Sequence, residues 1–510
     1  MSSTRKQGGD EYDVVVIGSG LGGLSAAALL AKTGRSVLVV EQAAQPGGYA
    51  ACFRRGPYTL DPAIHRMPQG HPGGLPAAIL GFLEIDDRVE FRPLESHYLA
   101  VFPDKSIRAP FGFEAYVEAH CEAFPEEAAR LREFYDVCRK VHKENHELPP
   151  QIGLAGLDEA AKRFPTLFGY LRASVADVLD EYLVDPQAKA ACTALWPHLG
   201  SPPSRLSFVT FALATVMEAE GSYFCVGGFQ SVVDGLVAAL ERDGGELAVE
   251  TPAERVLVED GRVTGVALAG GDVVRARLVI SNADARETLE EMVGEEHLPP
   301  RLIKRTQRMQ PSCSAVVITA ATSLDLREAG VASEVFRSLH WDHDRAWHDI
   351  QEGRPGGMWA AFPSLEDSSL APPGEHIAII SACASYDAHK PWKDALEAFT
   401  EQLLDAFEPV IPGLRGSLTF SETASPETLQ RYTRNQAGAI YGWESTPSQS
   451  GGRRSPNRPP VEGLILAGHW TQPGAASLRV LVSGLNAAEM ASNSGGWGGL
   501  GFSHTDRPPI

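Results

Sequence analysis

Residues Tyr12 to Gly48 read YDVVVIGSGLGGLSAAALLAKTGRSVLVVEQAAQPGG, and the fold is decided here. Tyr12 to Ile17 is a continuous β-branched run without alternation, the pattern of a parallel strand buried on both faces. Gly18-Ser19-Gly20-Leu21-Gly22-Gly23 is a G-x-G-x-x-G turn. Leu24 to Lys32 follows as a helix with Gly34 just past its end, and Ser36 to Val40 is a second strand. A strand–helix–strand unit of this kind crosses over right-handed. The glycines have separable tasks. Gly18 permits the tight turn, Gly20 leaves the backbone open to a pyrophosphate, and Gly23 lets helix and sheet approach closely. The helix N-terminus offers free N–H groups and a positive dipole end, and Leu21 and Gly22 of the turn are expected among the cofactor contacts. Glu41 ends the second strand, 23 residues after Gly18, where a carboxylate accepts from both ribose hydroxyls and repels a 2′-phosphate. With 50 glycines in 510 residues the turn alone is a weak signal. Strand, helix, second strand and acid together specify a dinucleotide site.

The rest of the chain is bounded by its composition. At about 150 residues per domain, 510 residues suggest about three folding units. Apolar residues are 43% and charged residues 22%, which excludes disordered, collagen-like and polytopic membrane chains. A net charge of −20 argues against nucleic acid as the main partner, and against docking on anionic lipid through charge alone. The seven cysteines form no CxxC or CxxxxC pair, so a disulfide framework or zinc ribbon is not expected and a reducing, cytoplasmic setting fits. Met1 to Asp13 carries no signal-peptide apolar region. Val14 to Ala31 is long enough to span a membrane, but its four glycines and strand-to-helix pattern fit a buried βα unit better.

Along the chain, dinucleotide-type pattern comes in three pieces. Between them, Pro76 to Gly221 is mostly helical, as in Glu126 to Lys143 and Ser207 to Glu218. A helix over Phe229 to Arg242 then leads into Glu246 to Ala269, read as two strands joined at Asp260-Gly261, and Arg277 to Ser281 is another buried strand. Val316 to Ala320 and His376 to Ser381 read as strands and Trp392 to Phe407 as an amphipathic helix. After a loop at Gln449 to Pro460 come a strand at Leu464 to Ala467 and a helix at Arg479 to Met490. The expected fold class is therefore α/β. A Rossmann-like domain (11–75, 222–290 and 455–495) is interrupted by an α+β substrate domain with a helical insert (76–221 and 291–454), and 496–510 form a flexible tail.

The dinucleotide is expected to be FAD. Gln42 to Gly48 places a glycine pair soon after the ribose acid, which suits a flavin dinucleotide, and no second G-x-G-x-x-G serves a nicotinamide. At this point the sequence resembles the phytoene desaturase family of FAD-dependent, amine-oxidase-like flavoproteins, which includes carotenoid desaturases, carotenoid isomerases and retinol saturases. The likeness covers residues 11 to 490. Its most specific parts are the opening stretch, SYFCVGGFQSVVDGLVAAL with ETPAERVLVEDGRVTGV and VISNAD, RMQPSCSAVVI, IYGWESTPSQ, and GLILAGHWTQPG with SGLNAA. The resemblance implies that Gly468 and His469 lie beside the ribityl and pyrophosphate, and that Ala253 meets the adenine through its backbone. It also implies that Pro473 to Val480 pass along the isoalloxazine, with the last helix aimed at its pyrimidine edge, and that Tyr441, Trp443 and Glu444 line the substrate side.

Three departures stand out. Gly468-His469 replaces Gly-Asp or Gly-Ala, Asp61-Pro62-Ala63 lacks an expected glycine, and Ala476 to Val480 places Arg479 where a glycine is expected near the flavin. Arg479 either holds a substrate carboxylate, stabilises the flavin, or points away into a surface salt bridge. His65 closes Thr59 to His65 (TLDPAIH), a segment similar to the family's F-D-x-G-x-H, and is the candidate acid–base residue; a hydrogen-bonded structural histidine is the competing reading.

A flavin moves hydride between N5 and a CH–CH or C=C unit, so the protein has to position a chain rather than supply a triad. His142 with His146 lacks the HExxH pattern, and His340, Asp342 and His343 lack a further clustered ligand, so no metal is expected. Trp196, Tyr223, Phe224 and Trp359 are candidates to wall an apolar tunnel, with a place in the core the simpler reading for most of them, and the helical insert is a candidate peripheral membrane surface. The expected activity is a desaturase or saturase of a lipophilic polyene, isoprenoid or fatty-acyl-like chain, with the electron acceptor or donor unreadable. The alternatives are a flavin-dependent cis–trans isomerase and a non-catalytic lipid-binding escort on the same fold.

Overall fold

A computed structural model describes residues 11–149, 156–387 and 390–492. The expected tail at 496–510 lies outside them. Two seven-stranded sheets organise the chain. The first has a parallel core: Glu246–Ala248, Val37–Val40, Glu11–Ile17, Val273–Ser281 and Leu464–Leu466 run side by side. Alternate residues of the strand Glu11–Ile17 enter different cores. Val14 and Val16 pack under the helices Leu21–Lys32, Gln230–Arg242 and Ser477–Ser492, whereas Val15 and Ile17 join Trp443 and Trp470 on the opposite face. A strand covered on both faces has no use for alternation, which is why its sequence reads as an unbroken apolar run.

One reading is corrected here. Glu246 to Ala269 holds three strands rather than two: Glu246–Ala248 pairs parallel with Val37–Val40, and Ala253–Glu259 and Arg262–Leu268 form the hairpin. Pro252 separates them. The hairpin turn is the expected one, with Asp260 at φ 49° and Gly261 at φ 76°, both left-handed as a tight hairpin requires.

The second sheet runs Leu418–Ala424, Ser314–Thr322, His376–Ala384, Gly356–Ala361, Glu334–Arg337, Tyr98–Val101 and Ser106–Ala109. All its pairings are antiparallel except Glu334–Arg337 with Tyr98–Val101. Again both faces are buried. Ala315 and Val317 face a helical layer that includes Ala128–Glu147, Val175–Tyr182 and Phe208–Glu220, while Val316 and Ile318 face the helix Trp392–Phe407. A small sheet of Met67–Pro68, Ser222–Cys225 and Phe91–Pro93 lies between the two large ones in chain order. It brings the chain after His65 against the start of the last helix, where Ser477 Oγ donates to the Arg66 carbonyl at 2.9 Å.

All seven cysteines are buried and free. Among the described residues no helix is long and apolar enough to cross a membrane, and no three His, Cys, Asp or Glu side chains group as metal ligands. His343 Nε2 contacts the Ala190 carbonyl at 2.9 Å, and Asp342 caps the helix His343–Gln351.

Candidate functional site

The glycine turn, Glu41 and Gly468 converge at one corner of the first sheet. Gly18 N–H donates to the Val40 carbonyl at 2.8 Å, which ties the turn to the second strand. A Cβ on Gly23 would lie 2.1 Å from the Gly18 carbonyl oxygen, so only glycine lets the helix start this close. Leu24 is the first residue of the helix whose N–H finds an acceptor, Gly20 at 3.0 Å; no partner among the described residues takes the N–H groups of Leu21, Gly22 and Gly23. Gly48 packs against Gly20, where a Cβ would sit 3.4 Å from its Cα.

Asn282, which ends the VISN segment, fills the centre of this corner. A Cβ on Gly22 or Gly468 would come within 2.7 or 2.4 Å of its Oδ1, which is buried without a hydrogen-bond partner. Glu41 is buried, and its Oε2 accepts from Ser19 N–H at 2.8 Å and Ser19 O–H at 2.6 Å, while Oε1 accepts from Ala43 N–H at 2.8 Å. A carboxylate has about four acceptor positions, so one stays open for a ribose hydroxyl. Thr251 N–H donates to the Glu41 carbonyl at 2.7 Å and so brings Ala253 alongside. Unspent N–H groups, a glycine cradle and an orphaned amide suit an extended dinucleotide. Gln42 is turned outward, its amide 3.4 Å from the Tyr432 carbonyl. His469 leans on Tyr49 and Trp470, and burial, with Arg454, holds its pKa down to about 3. Val480 sits in the first turn of the last helix, its N–H on the Ala476 carbonyl at 3.0 Å.

A buried ionic layer lies beyond the start of that helix. Arg66 Nη1 reaches His97 Nδ1 at 2.8 Å and Glu218 at 3.5 Å, and Nη2 sits against Glu334 and the His97 carbonyl. His198 Nε2 is 3.3 Å from Glu334; burial, then Arg66, pushes its pKa well down, so this is a contact to a neutral ring. Burial also lifts the Glu218 carboxyl, against the pull of Arg66 and Arg479.

Two cavities border the layer. One, of about 330 Å³, is bordered by His65, Arg66, His97, Phe224 and Glu334. The other, of about 340 Å³, is bordered by His198, Tyr441, Arg454, Gly474 and Arg479. His65 and Arg479 thus border different cavities. Burial, then Arg66, holds the His65 pKa down to about 3, and its Nδ1 is buried without a partner. His65 is therefore neutral near pH 7.

The apolar tunnel wall reads differently in the structure. Trp196 and Trp359 are buried in the core beneath the second sheet, and of the four aromatics only Phe224 borders one of these cavities, both of which carry charged side chains. Two of the residues expected on the substrate side are committed elsewhere. Trp443 is fully buried, its Nε1 on Ser455 Oγ at 2.9 Å and its ring against Trp470 at 4.8 Å. Glu444 is closed by a two-pronged bond from Arg205, both arms 2.7 Å. Tyr441 does border the second cavity. Sequence reasoning missed Arg66, Glu218, Glu334, Arg454 and, as an individual residue, Asn282. Only Asn282 stood in a quoted motif; Arg454 lay in a stretch read as loop, Glu218 ends a stretch read as helix, and Glu334 sits in a segment without a pattern.

A family model described as flavin containing amine oxidoreductase matches residues 21–491. The chain is 27% identical to prolycopene isomerase 2 of an Oncidium hybrid cultivar, over 94% of this chain and 83% of that protein. It is 26% identical to the neurosporene-forming phytoene desaturase of Rhodobacter capsulatus, over 93% of each, and 24% identical to all-trans-retinol 13,14-reductase of Danio rerio, over 85% of this chain and 78% of that one. In fold it is similar to a putrescine oxidase solved with putrescine, with a TM-score of 0.67 at 14% identity, over 94% and 99% of the two chains.

Proposed function

The chain belongs to the flavin containing amine oxidoreductase family and is an FAD-dependent oxidoreductase; from that premise we propose that it acts on CH–CH or C=C bonds of a lipophilic polyene or isoprenoid chain. Bound FAD supplies the two-electron chemistry, taking a hydride from carbon or giving one to it at N5. The observation that carries the reading is the line from the glycine turn, through Asn282 and Gly468, to the start of the helix Ser477–Ser492. Residues along this line would hold a dinucleotide, with Glu41 at its ribose end and the start of the last helix at its flavin end.

In this proposal the N–H groups of Leu21, Gly22 and Gly23 bind the pyrophosphate. Glu41 takes the ribose, Ala253 lies under the adenine, and Gly18, Gly20, Gly48 and Gly468 keep the path open. Asn282 donates to a phosphate or ribityl oxygen once its amide turns. His469 and Val480 border the flavin end. The helix dipole of Ser477–Ser492 favours negative charge there. His65, held neutral, orients the reacting chain through a hydrogen bond, and Tyr441 borders its path. The division into a cofactor unit (11–75, 222–290, 455–495) and a substrate unit (76–221, 291–454) follows the two large sheets, with the small sheet as the seam. A peripheral membrane approach through the helical layer belongs to the same proposal.

The likeness to prolycopene isomerase supports a second reading, cis–trans isomerisation without net oxidation. One experiment decides. Purified protein is expected to be yellow and to release FAD on denaturation. Incubated with C20 and C40 polyenes under oxidising or reducing conditions, it is expected to give a product two mass units lighter or heavier. An unchanged mass with altered geometry favours the isomerase, and a colourless protein that takes up no FAD overturns both.

A further inference from the structure

We propose that the substrate is an amphipathic acid, a polyene or isoprenoid chain ending in a carboxylate, and that Arg479 holds this carboxylate in the cavity at the start of the last helix. This rests on the reading of the chain as an oxidoreductase of lipophilic chains and adds the polar end of the molecule.

Three guanidinium groups border the two cavities, Arg66 the first and Arg454 and Arg479 the second. Arg66 occupies both carboxylates of the ionic layer, with Glu334 against Nη2 and Glu218 at 3.5 Å from Nη1. The next acid, Glu444, is taken by Arg205. Arg454 has no carboxylate, but the carbonyls of Thr471, Trp443, Tyr441 and His469 accept from it. Arg479 has neither kind of partner: among the described residues it makes no hydrogen bond and no ion pair within reach of its guanidinium. Glu218 attracts it from a distance, and burial works against its charge. A guanidinium does not lose its proton near neutrality, so a half-buried cation with unspent donors stays on the cavity wall. An anion entering the cavity would take up those donors.

The surroundings fit a carboxylate. Arg479 and Arg454 border the second cavity, with about 340 Å³ of empty space including open solvent, together with Thr210, His198, Tyr441 and Ser445 and with Pro473 to Ala475 on the side expected to face the flavin. Tyr441 stays protonated because burial lifts its pKa well above the usual phenol range, so it offers an O–H. The charge of Arg479 is felt by Glu218 on the helix Phe208–Glu220 and by His142 on the helix Ala128–Glu147. Both belong to the helical layer, away from the glycine turn. One free fork matches one carboxylate in two-pronged geometry, whereas a diphosphate would call for further free cations. The cavity beside Arg479 carries two guanidinium groups, which suit an acid end better than a bare hydrocarbon end.

The test uses the FAD-loaded, full-length protein with all-trans-retinoic acid and its methyl ester, which share the chain and differ in charge. Binding is read from the shift of the polyene absorption band and from quenching of protein fluorescence. The acid is expected to bind at least about tenfold tighter than the ester, one tenfold step being a single charge-assisted contact. R479Q is expected to bring the acid down to the affinity of the ester, and R479K to keep part of the gap, with the flavin content and spectrum of the parent in both. Equal affinity of acid and ester for the parent protein overturns the proposal, as does an acid preference that survives R479Q. Loss of flavin in R479Q also overturns it, because the guanidinium would then serve the cofactor; if R479Q does not fold, an undiminished gap in R479K overturns it instead. A yellow protein that converts neutral polyenes without acid preference leaves the oxidoreductase reading standing and removes only this one. A colourless protein that binds neither probe removes both.

Discussion

At the dinucleotide corner most of the working groups belong to the backbone, with the side chains of Glu41 and Asn282 beside them. Gly18, Gly20, Gly22, Gly23 and Gly468 matter for atoms they lack, and the contacts span a strand, a turn and a helix start. Around Arg66 the working groups are ionisable side chains from residues 66, 97, 198, 218 and 334, drawn from segments far apart in the chain. The corner tolerates no added atom, and the ionic layer tolerates no removed charge. The two regions should therefore fail in different ways, and that difference can be broken experimentally.

The largest effect is expected at Arg66. Arg66→Met leaves Glu218 and Glu334 buried without their common cation, a loss of about 3–5 kcal/mol. Urea unfolding should show the lower midpoint, while protein that stays folded keeps its flavin. Flavin loss in step with the stability loss would erase the distinction between the regions. Gly23→Ala should do the reverse. Its Cβ, 2.1 Å from a backbone oxygen, forces the helix start off the turn. The overpacking costs about 3 kcal/mol and strips FAD from the protein, read as the ratio of flavin to protein absorbance.

These two variants also mark what the sequence could tell. Every element of the corner is local or motif-bound, so the run Tyr12–Gly48 specified strand, turn, helix and ribose acid, and the hairpin at Asp260-Gly261 and the helix Trp392–Phe407 were equally legible. Glu218 in VMEAE and Glu334 in SEVFR carry no local signal, because their partner is brought to them only by the small sheet that carries Met67–Pro68. Trp443 and Glu444 were placed by motif, but a motif does not say which side of a strand end faces the cavity, and both proved to be pinned by Ser455 and Arg205. The strand Glu246–Ala248 was merged into the hairpin because Pro252 alone was too weak a signal to separate it.

Asp61 sharpens the comparison, since it is a buried carboxylate outside the ionic layer. It accepts from Phe229 N–H at 2.9 Å, and burial lifts its pKa to about 7 from the usual 3.8. Between about pH 4 and pH 7 the folded protein holds a proton that the unfolded chain has released. Stability from this group is thus fully present below pH 4 and is lost as pH rises through 7. Relative to D61N, the parent should lose about 2–3 kcal/mol between pH 5 and pH 8, measured from urea midpoints at the two values. A pH-independent gap between the two proteins would show that the carboxyl is ionised in the fold throughout. Glu41→Gln is smaller again. An amide keeps one acceptor but turns an NH2 toward one of the donors Ser19 N–H and Ala43 N–H. About 2 kcal/mol is expected, or roughly thirtyfold in FAD affinity by titration of the apoprotein.

The smallest effect tests the segment where the two regions meet. Ala476 has φ 121°, in a part of backbone space that glycine enters freely and alanine does not, and it follows Gly474 at φ 113°. Its strain is worth about 1–3 kcal/mol, against about 0.5–1 kcal/mol for the extra freedom that glycine gives the unfolded chain. Ala476→Gly should therefore stabilise the protein by about 1 kcal/mol, read as a higher urea midpoint, with unchanged flavin content. If A476G is less stable, the side chain is holding the bend in place. The start of the last helix would then depend on packing, like the ionic layer, and not on backbone freedom, like the glycine turn. If A476G is more stable and Arg479 keeps its acid preference, the alanine is a tolerated departure from glycine, and the segment's function lies in the guanidinium three residues on.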